Sequence, residues 1–302
     1  MIIWLASYPK SGNTFLRSML SAYLFSQDGK FSFELLKEIK QFPDLALFKN
    51  LGINISDKLE IIKNYIYAQE QINKKDGNSI RILKTHAALH NVNGFKFTNL
   101  KNSIGAIYIV RDPRKVVKSF ANHNQISIEE SLEKMSNNTI FGGKVNFENK
   151  IDTHVGSWSS NYNTWKEFKK VGRYLLIKYE DLVLNPEKNL IQTLNFIYKV
   201  SNHRLVLNRS KLKNVLETTN FEYLKKLEEK TNFPEAVTTS KGTSIFFKYG
   251  KKNTGKNLPI SINDRIEENF KSEMKELNYL WDHNINFDKS VSLTKLSKFL
   301  LI

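Results

Sequence analysis

The sequence predicts an α/β fold in one domain, and two observations predict it. Short apolar runs, Ile2 to Ala6, Ile104 to Val110 and Tyr174 to Lys178, are each followed by apolar residues at helical spacing. The chain has 302 residues, 40% hydrophobic and 12% aromatic, enough for one sizeable core with no clean split into two.

The run Ile2-Ile3-Trp4-Leu5-Ala6 reads as a strand buried on both faces, closed by Tyr8-Pro9. Phe15, Leu16, Met19, Leu20, Tyr23 and Leu24 then define an amphipathic helix with Gly12, Asn13 and Thr14 at its first turn. Strand, loop and helix form the geometry of an anion cradle. Loop amides and the positive helix end face the ligand, Gly12 admits close approach, and Lys10 adds a full charge. A phosphate-binding loop is expected here, although Lys10-Ser11-Gly12 taken alone also suits a surface turn. It is not a Walker A loop, because position 7 is Ser and the lysine precedes Gly12.

Residues 31 to 75 carry mainly helical periodicity, through Phe33, Leu36 and Ile39 and again through Leu59, Ile62 and Ile66, broken at Pro43 and Gly52. They are expected to cover the sheet and line a substrate pocket. Ser79 to His86 reads as a second strand, with Lys84 and His86 at its carboxyl end, where open α/β sheets gather functional groups. A histidine there is also an ordinary turn residue. Ile104 to Val110 is followed by Arg111-Asp112-Pro113-Arg114 and a helix through Val116, Val117 and Phe120. Pro113 suits a first helical turn, so Arg111 is held at a strand end, with an ion pair to Asp112 as the plainer reading.

Residues 124 to 155, which include Phe141-Gly142-Gly143, are expected to form an insertion or lid. Trp158, Tyr162, Trp165 and Phe168 form a helical core stripe, and Pro186 opens a helix through Leu190, Leu194 and Ile197. Residues 289 to 302 are expected to dock as a helix on the body, with a membrane surface or partner helix as the other use.

A formal net charge of +16 attracts anions, either at a specific patch or through lysines spread over the surface. No nucleic-acid partner is expected, since zinc-finger, RNP and basic heptad patterns are absent. The chain has no cysteine, which suits a reducing, cytoplasmic setting, and no leader is read at the amino terminus. No apolar window long enough for a membrane span occurs. No metal is expected, and no acidic residue closes the strand at Val110 as Walker B would require.

The segment Tyr8-Pro9-Lys10-Ser11-Gly12-Asn13-Thr14 resembles the 5'-phosphosulfate loop of the sulfotransferases, which use 3'-phosphoadenosine 5'-phosphosulfate (PAPS). Further segments resemble that family in its own order. Lys84-Thr85-His86 matches the site of its catalytic histidine, and Arg111 with Ser119 matches the pair that binds the 3'-phosphate. Tyr179-Glu180-Asp181 resembles a segment whose tyrosine meets the adenine. Thr218-Thr219-Asn220-Phe221 resembles its Thr-Ser-Phe segment, with Asn220 in place of Ser. Phe15 and Phe221 are the stacking candidates, Phe15 standing where many relatives carry Trp. Phe246 to Lys252 resembles a degenerate Arg-Lys-Gly loop, giving Lys248 and Gly250 as cofactor contacts. The family's dimer motif is broken after Lys256, so oligomeric state stays open.

The resemblance implies a doubly wound, mainly parallel sheet flanked by helices, P-loop-like and without metal. It implies sulfuryl transfer from PAPS to the hydroxyl of a small alcohol, lipid or glycan, giving adenosine 3',5'-bisphosphate (PAP). His86 would be the base, with Lys10, Lys84 and Ser119 in the catalytic set. Lys10, Ser11, Gly12, Asn13, Thr14, Phe15, Arg111, Ser119, Tyr179, Thr219, Phe221, Lys248 and Gly250 would hold the donor. A P-loop kinase and a basic polyanion-binding protein without catalysis are the alternatives.

Overall fold

The computed structural model describes residues 1–75, 80–141, 151–231, 233, 238–239, 242–243, 246–247 and 258–280. Strands β1 (Ile2–Ser7), β2 (Arg81–Thr85), β3 (Ser103–Val110), β4 (Thr139–Phe141), β5 (Thr153–Gly156) and β6 (Tyr174–Lys178) follow one another along the chain. Four of them make one parallel sheet in the order β2-β1-β3-β6, and β4 pairs with β5 antiparallel. The expected strands are all present. The second begins at Arg81, Ser79 lying outside the described residues.

Side chains alternate across this sheet. Ile2, Trp4 and Ala6, with Leu83 and Tyr108, enter one core, closed by the helices Pro113–Asn124, Ile128–Ser136, Trp158–Trp165 and Ile260–Asn269. Ile3, Leu5, Ile82, Ile107 and Ile109 enter the other, closed by Asn13–Phe25, Pro186–Val200 and Arg209–Thr219. Helices on both faces are the doubly wound arrangement, and they explain why the strands read as unbroken apolar runs.

Trp4 shows how the first core is fixed. Its indole Nε1 donates to Ser103 Oγ (2.8 Å), and its ring sits 5.7, 5.2 and 6.1 Å from those of Phe42, Phe97 and Trp165. Satisfying the one polar atom removes the cost of burying it, so the whole ring contributes to packing. The expected stripe of Trp158, Tyr162, Trp165 and Phe168 is buried here too.

The stretch from 31 to 75 forms a 3-10 helix, Phe33–Glu38, and the α-helices Leu45–Asn50, Lys58–Lys63 and Tyr65–Lys75. Its chain also covers the outer edge of β2. Lys84 N donates to Lys40 O and Phe42 N to Lys84 O, both at 2.8 Å, which satisfies edge groups that would otherwise face water. Of residues 124 to 155, the Ile128–Ser136 helix seats Leu132 and Met135 in the core, and Ser131 Oγ donates to Val117 O. Residues 142–150 and 289–302 lie outside the described residues.

The helix leaving β1 covers one face and the helix leaving β3 covers the other, although β1 and β3 are neighbours. The chain parts between them, and it is beyond the strand carboxyl ends at such a point that open α/β sheets gather ligands.

Candidate active site

The turn after β1 is tight. The Ser11 amide donates to Tyr8 O (3.3 Å), and Lys10 and Gly12 take positive φ of 66° and 102°. For a lysine this conformation costs on the order of 1–3 kcal/mol, which the surrounding packing must offset. At position 12 only glycine serves, because a Cβ would lie 2.2 Å from Tyr179 Cδ2. Gly12 caps the 13-residue helix Asn13–Phe25 without a side-chain bond, and the first turn holds no acidic residue. The positive helix end therefore stays available to an anion. Ser11 Oγ is buried beside it without a hydrogen-bond partner.

Arg111 closes the other side. Its Nη1 donates to the Lys10 carbonyl (3.1 Å), and its guanidinium lies 4.3 Å from the centroid of the Tyr179 ring. Nε is buried and has no partner in the protein. Asp112 takes no part in holding it. That carboxylate caps the Pro113–Asn124 helix at Arg114 N and accepts from Arg114 Nε and Nη2. Glu180 accepts from the Asp112 amide (3.1 Å) and from Tyr279 OH (2.8 Å), which fixes the start of the Tyr179–Leu184 helix against the β3 exit. Tyr179 is thereby wedged between Gly12 and Arg111.

His86 follows β2 directly and is half-buried. Its Nδ1 lies 2.8 Å from Ser7 O and 3.3 Å from Ser7 Oγ. A carbonyl only accepts, so Nδ1 carries a proton, and whenever the ring is neutral its lone pair is at Nε2. Ser7 Oγ also accepts from Asn13 Nδ2 (3.2 Å), which joins the first helical turn to the histidine. Asn161 Nδ2 donates to His86 O (3.0 Å) and Val155 O (2.7 Å), while Asn161 Oδ1 accepts from Tyr108 OH. Lys84 is buried at the end of β2.

The remaining expected residues divide. Ser119 is half-buried on the Pro113–Asn124 helix, and Thr14 is buried at the first turn. Thr219 is buried with its hydroxyl committed to Val215 O (2.7 Å), a back-bond of the last helical turn, so its proton is not available to a base. Phe221 and Phe15 are half-buried against the same apolar cluster. Asn220 caps the Phe221–Lys230 helix at Tyr223 N, which explains its exchange with Ser, since both are good caps. Lys248 and Gly250 lie outside the described residues.

Sequence reasoning passed over Ser7, Asn161 and Glu180. Asn161 had a signal, being a polar residue three positions from Trp158 on a buried stripe. The spacing His86-x-x-x-His90 does occur, but that segment is not helical, so the pair does not share a helix face. His90 and His154 are half-buried, and burial lowers the pKa of each below the ordinary histidine value.

Anion donors, a positively polarised helix end and an oriented imidazole lie at the carboxyl ends of β1, β2 and β3, an arrangement suited to handling an anionic group. A family model described as a sulfotransferase domain matches residues 2–278. Human Sulfotransferase 1E1 is 24% identical over 284 residues, 90% of this chain and 83% of that protein. Mouse Sulfotransferase 1 family member D1 is 26% identical over 205 residues, 65% of this chain and 59% of that protein. Mouse sulfotransferase SULT7A1 complexed with PAP shares the fold with a TM-score of 0.55 at 20% identity, over 91% of this chain and 84% of that one. Retinol dehydratase in complex with retinol and PAP gives 0.54 at 15%, over 93% and 83%. The chain belongs to the sulfotransferase family, as an enzyme of PAPS-dependent sulfuryl transfer.

Proposed function

We propose that the crevice between β1 and β3 holds PAPS and that His86 drives attack by an acceptor hydroxyl. The observation that carries this is the Arg111 bond to Lys10 O, which joins the two anion-binding clusters at one place. Two buried donors without protein partners, Ser11 Oγ and Arg111 Nε, suit anionic oxygens. PAPS supplies the activated sulfuryl group, and this chain's residues bind, orient and move the proton.

The Asn13–Phe25 helix end, Ser11 and Lys10 face the 5' side of the donor. Arg111 and Ser119 take the 3'-phosphate, where a planar guanidinium matches two oxygens. Phe15 and Phe221 take the base. Lys84 and Lys10 offset charge on the bridging oxygen as it leaves. The acceptor oxygen attacks sulfur while His86 Nε2 takes its proton. The bond from sulfur to the 5'-phosphate oxygen breaks, leaving PAP and a sulfate ester. Such a base contributes on the order of 10²- to 10⁴-fold in rate.

The acceptor is proposed as a hydroxyl of a small alcohol, lipid or glycan. Retinol dehydratase has been seen with retinol and with androsterone, which supports the general class only. Among the described residues no helix is long and apolar enough to cross a membrane. A cytoplasmic setting is part of the same proposal and rests on the cysteine-free sequence.

The test is a transfer assay with sulfate-labelled PAPS across these acceptor classes, beside thermal shifts with PAP and with ATP plus magnesium. Labelled ester and a larger shift with PAP are expected. A larger shift with ATP, or polyanion binding without transfer, would replace this function with one of its rivals.

A further inference from the structure

The Lys10 ammonium sits 3.8 Å from the centroid of the Phe246 ring. The same ring meets His123 edge-on, at 5.9 Å and 89°, and His123 stands one helical turn beyond Ser119 on the Pro113–Asn124 helix. Phe246 therefore touches both the turn after β1 and the Pro113–Asn124 helix. It packs on Phe233 and Phe247 at 4.7 and 5.0 Å, and Phe247 meets Phe221 at 6.3 Å.

Two aromatic residues in a turn need something to fix their direction. Here it is one carboxylate. Glu228, on the Phe221–Lys230 helix, accepts from Phe246 N at 2.7 Å and from Phe247 N at 2.8 Å, one oxygen to each amide. Charge-assisted bonds to two consecutive amides set the orientation of both rings.

We propose that Glu228 and Phe246 are positioning residues for Lys10, so that the lysine is already aimed when the donor arrives. This rests on the reading of the crevice as the PAPS site. A flexible lysine loses rotamer freedom when it is fixed on a phosphate, and a ring face that holds the ammonium removes part of that cost in advance. Glu228 acts at a distance by holding the ring, and touches no substrate itself.

The experiment is a double-mutant cycle read by calorimetric titration of the full chain with PAP, with turnover measured alongside. Phe246→Leu and Glu228→Gln are each expected to weaken PAP on the order of tenfold in the parent protein. In a Lys10→Met background both effects should shrink to near nothing, because no ammonium remains to be aimed. Phe246→Tyr, which keeps the ring face, should restore the parent affinity. Equal losses with and without Lys10 would reduce both residues to packing and overturn the proposal, as would failure of Phe246→Tyr to rescue. Failure of the parent protein to bind PAP would overturn the donor reading itself, a separate result. Thermal melts of each variant check that it is folded.

Discussion

The guanidinium of Arg111 donates to the carbonyl of Lys10 at 3.1 Å. The two residues follow neighbouring parallel strands whose helices depart to opposite faces of the sheet, so this bond spans the place where the chain parts. Arg111 Nε, buried and without a partner in the protein, remains as a donor at this junction.

Gly12→Ala should damage both fold and site. Its φ of 102° and the 2.2 Å approach of a new Cβ to the Tyr179 ring leave no relaxed arrangement. A loss of about 1–3 kcal/mol in stability is expected, with PAP affinity falling beyond it because Tyr179 must withdraw from Arg111. Denaturant melts and PAP titration measure the two effects.

His86→Ala should lower turnover by on the order of 10²- to 10⁴-fold while PAP still binds. The ring is held by Ser7 at the end of β1, whose hydroxyl also accepts from Asn13 in the first helical turn, so PAP affinity is the control that separates loss of the base from loss of the turn. Single-turnover assays beside calorimetry check the split.

Asn161→Leu should be costly for a change of one side chain, because Asn161 is fully buried. The side chain is buried and serves His86 O, Val155 O and Tyr108 OH at once. Each partner left unsatisfied costs about 1–3 kcal/mol, and the His86 backbone loses one of its supports. Both melting temperature and turnover are expected to fall.

The strands and the tight turn after β1 were legible because each is local. β1 and β3 show as unbroken apolar runs since both faces are covered, and the first turn shows through Gly12 and Lys10 together. Arg111 was legible as a strand-end arginine, but its partners were not: Asp112, adjacent in sequence, belongs to Arg114, and the contacts to Arg111 come from the Lys10 carbonyl and from Tyr179, set by β6. Ser7 and Glu180 were hidden because a single serine or glutamate carries no spacing signal, and their roles arise only when distant segments meet. Thr219 matched by sequence order, yet its hydroxyl is consumed within its own helix.

Stability should fall as the medium is acidified below the ordinary histidine range. His90 and His154 are depressed first by burial, and for His154 the nearby Asp152 opposes the shift while His90 and Lys58 reinforce it. A depressed folded pKa means that the unfolded chain binds protons more readily in that window, so protonation favours unfolding, beginning near pH 6.5. Melting temperatures from pH 8 to pH 5 should flatten when both histidines are replaced by Gln.

One site is proposed to grip both phosphates of the donor, with Arg111 on the 3' side. Calorimetry with PAP and with adenosine 5'-phosphate, which lacks the 3'-phosphate, tests it on the parent protein and on Arg111→Ala. PAP should bind the parent more tightly by about 1.5–3 kcal/mol, and that advantage should vanish in the variant. An equal preference for PAP in both proteins would contradict the account.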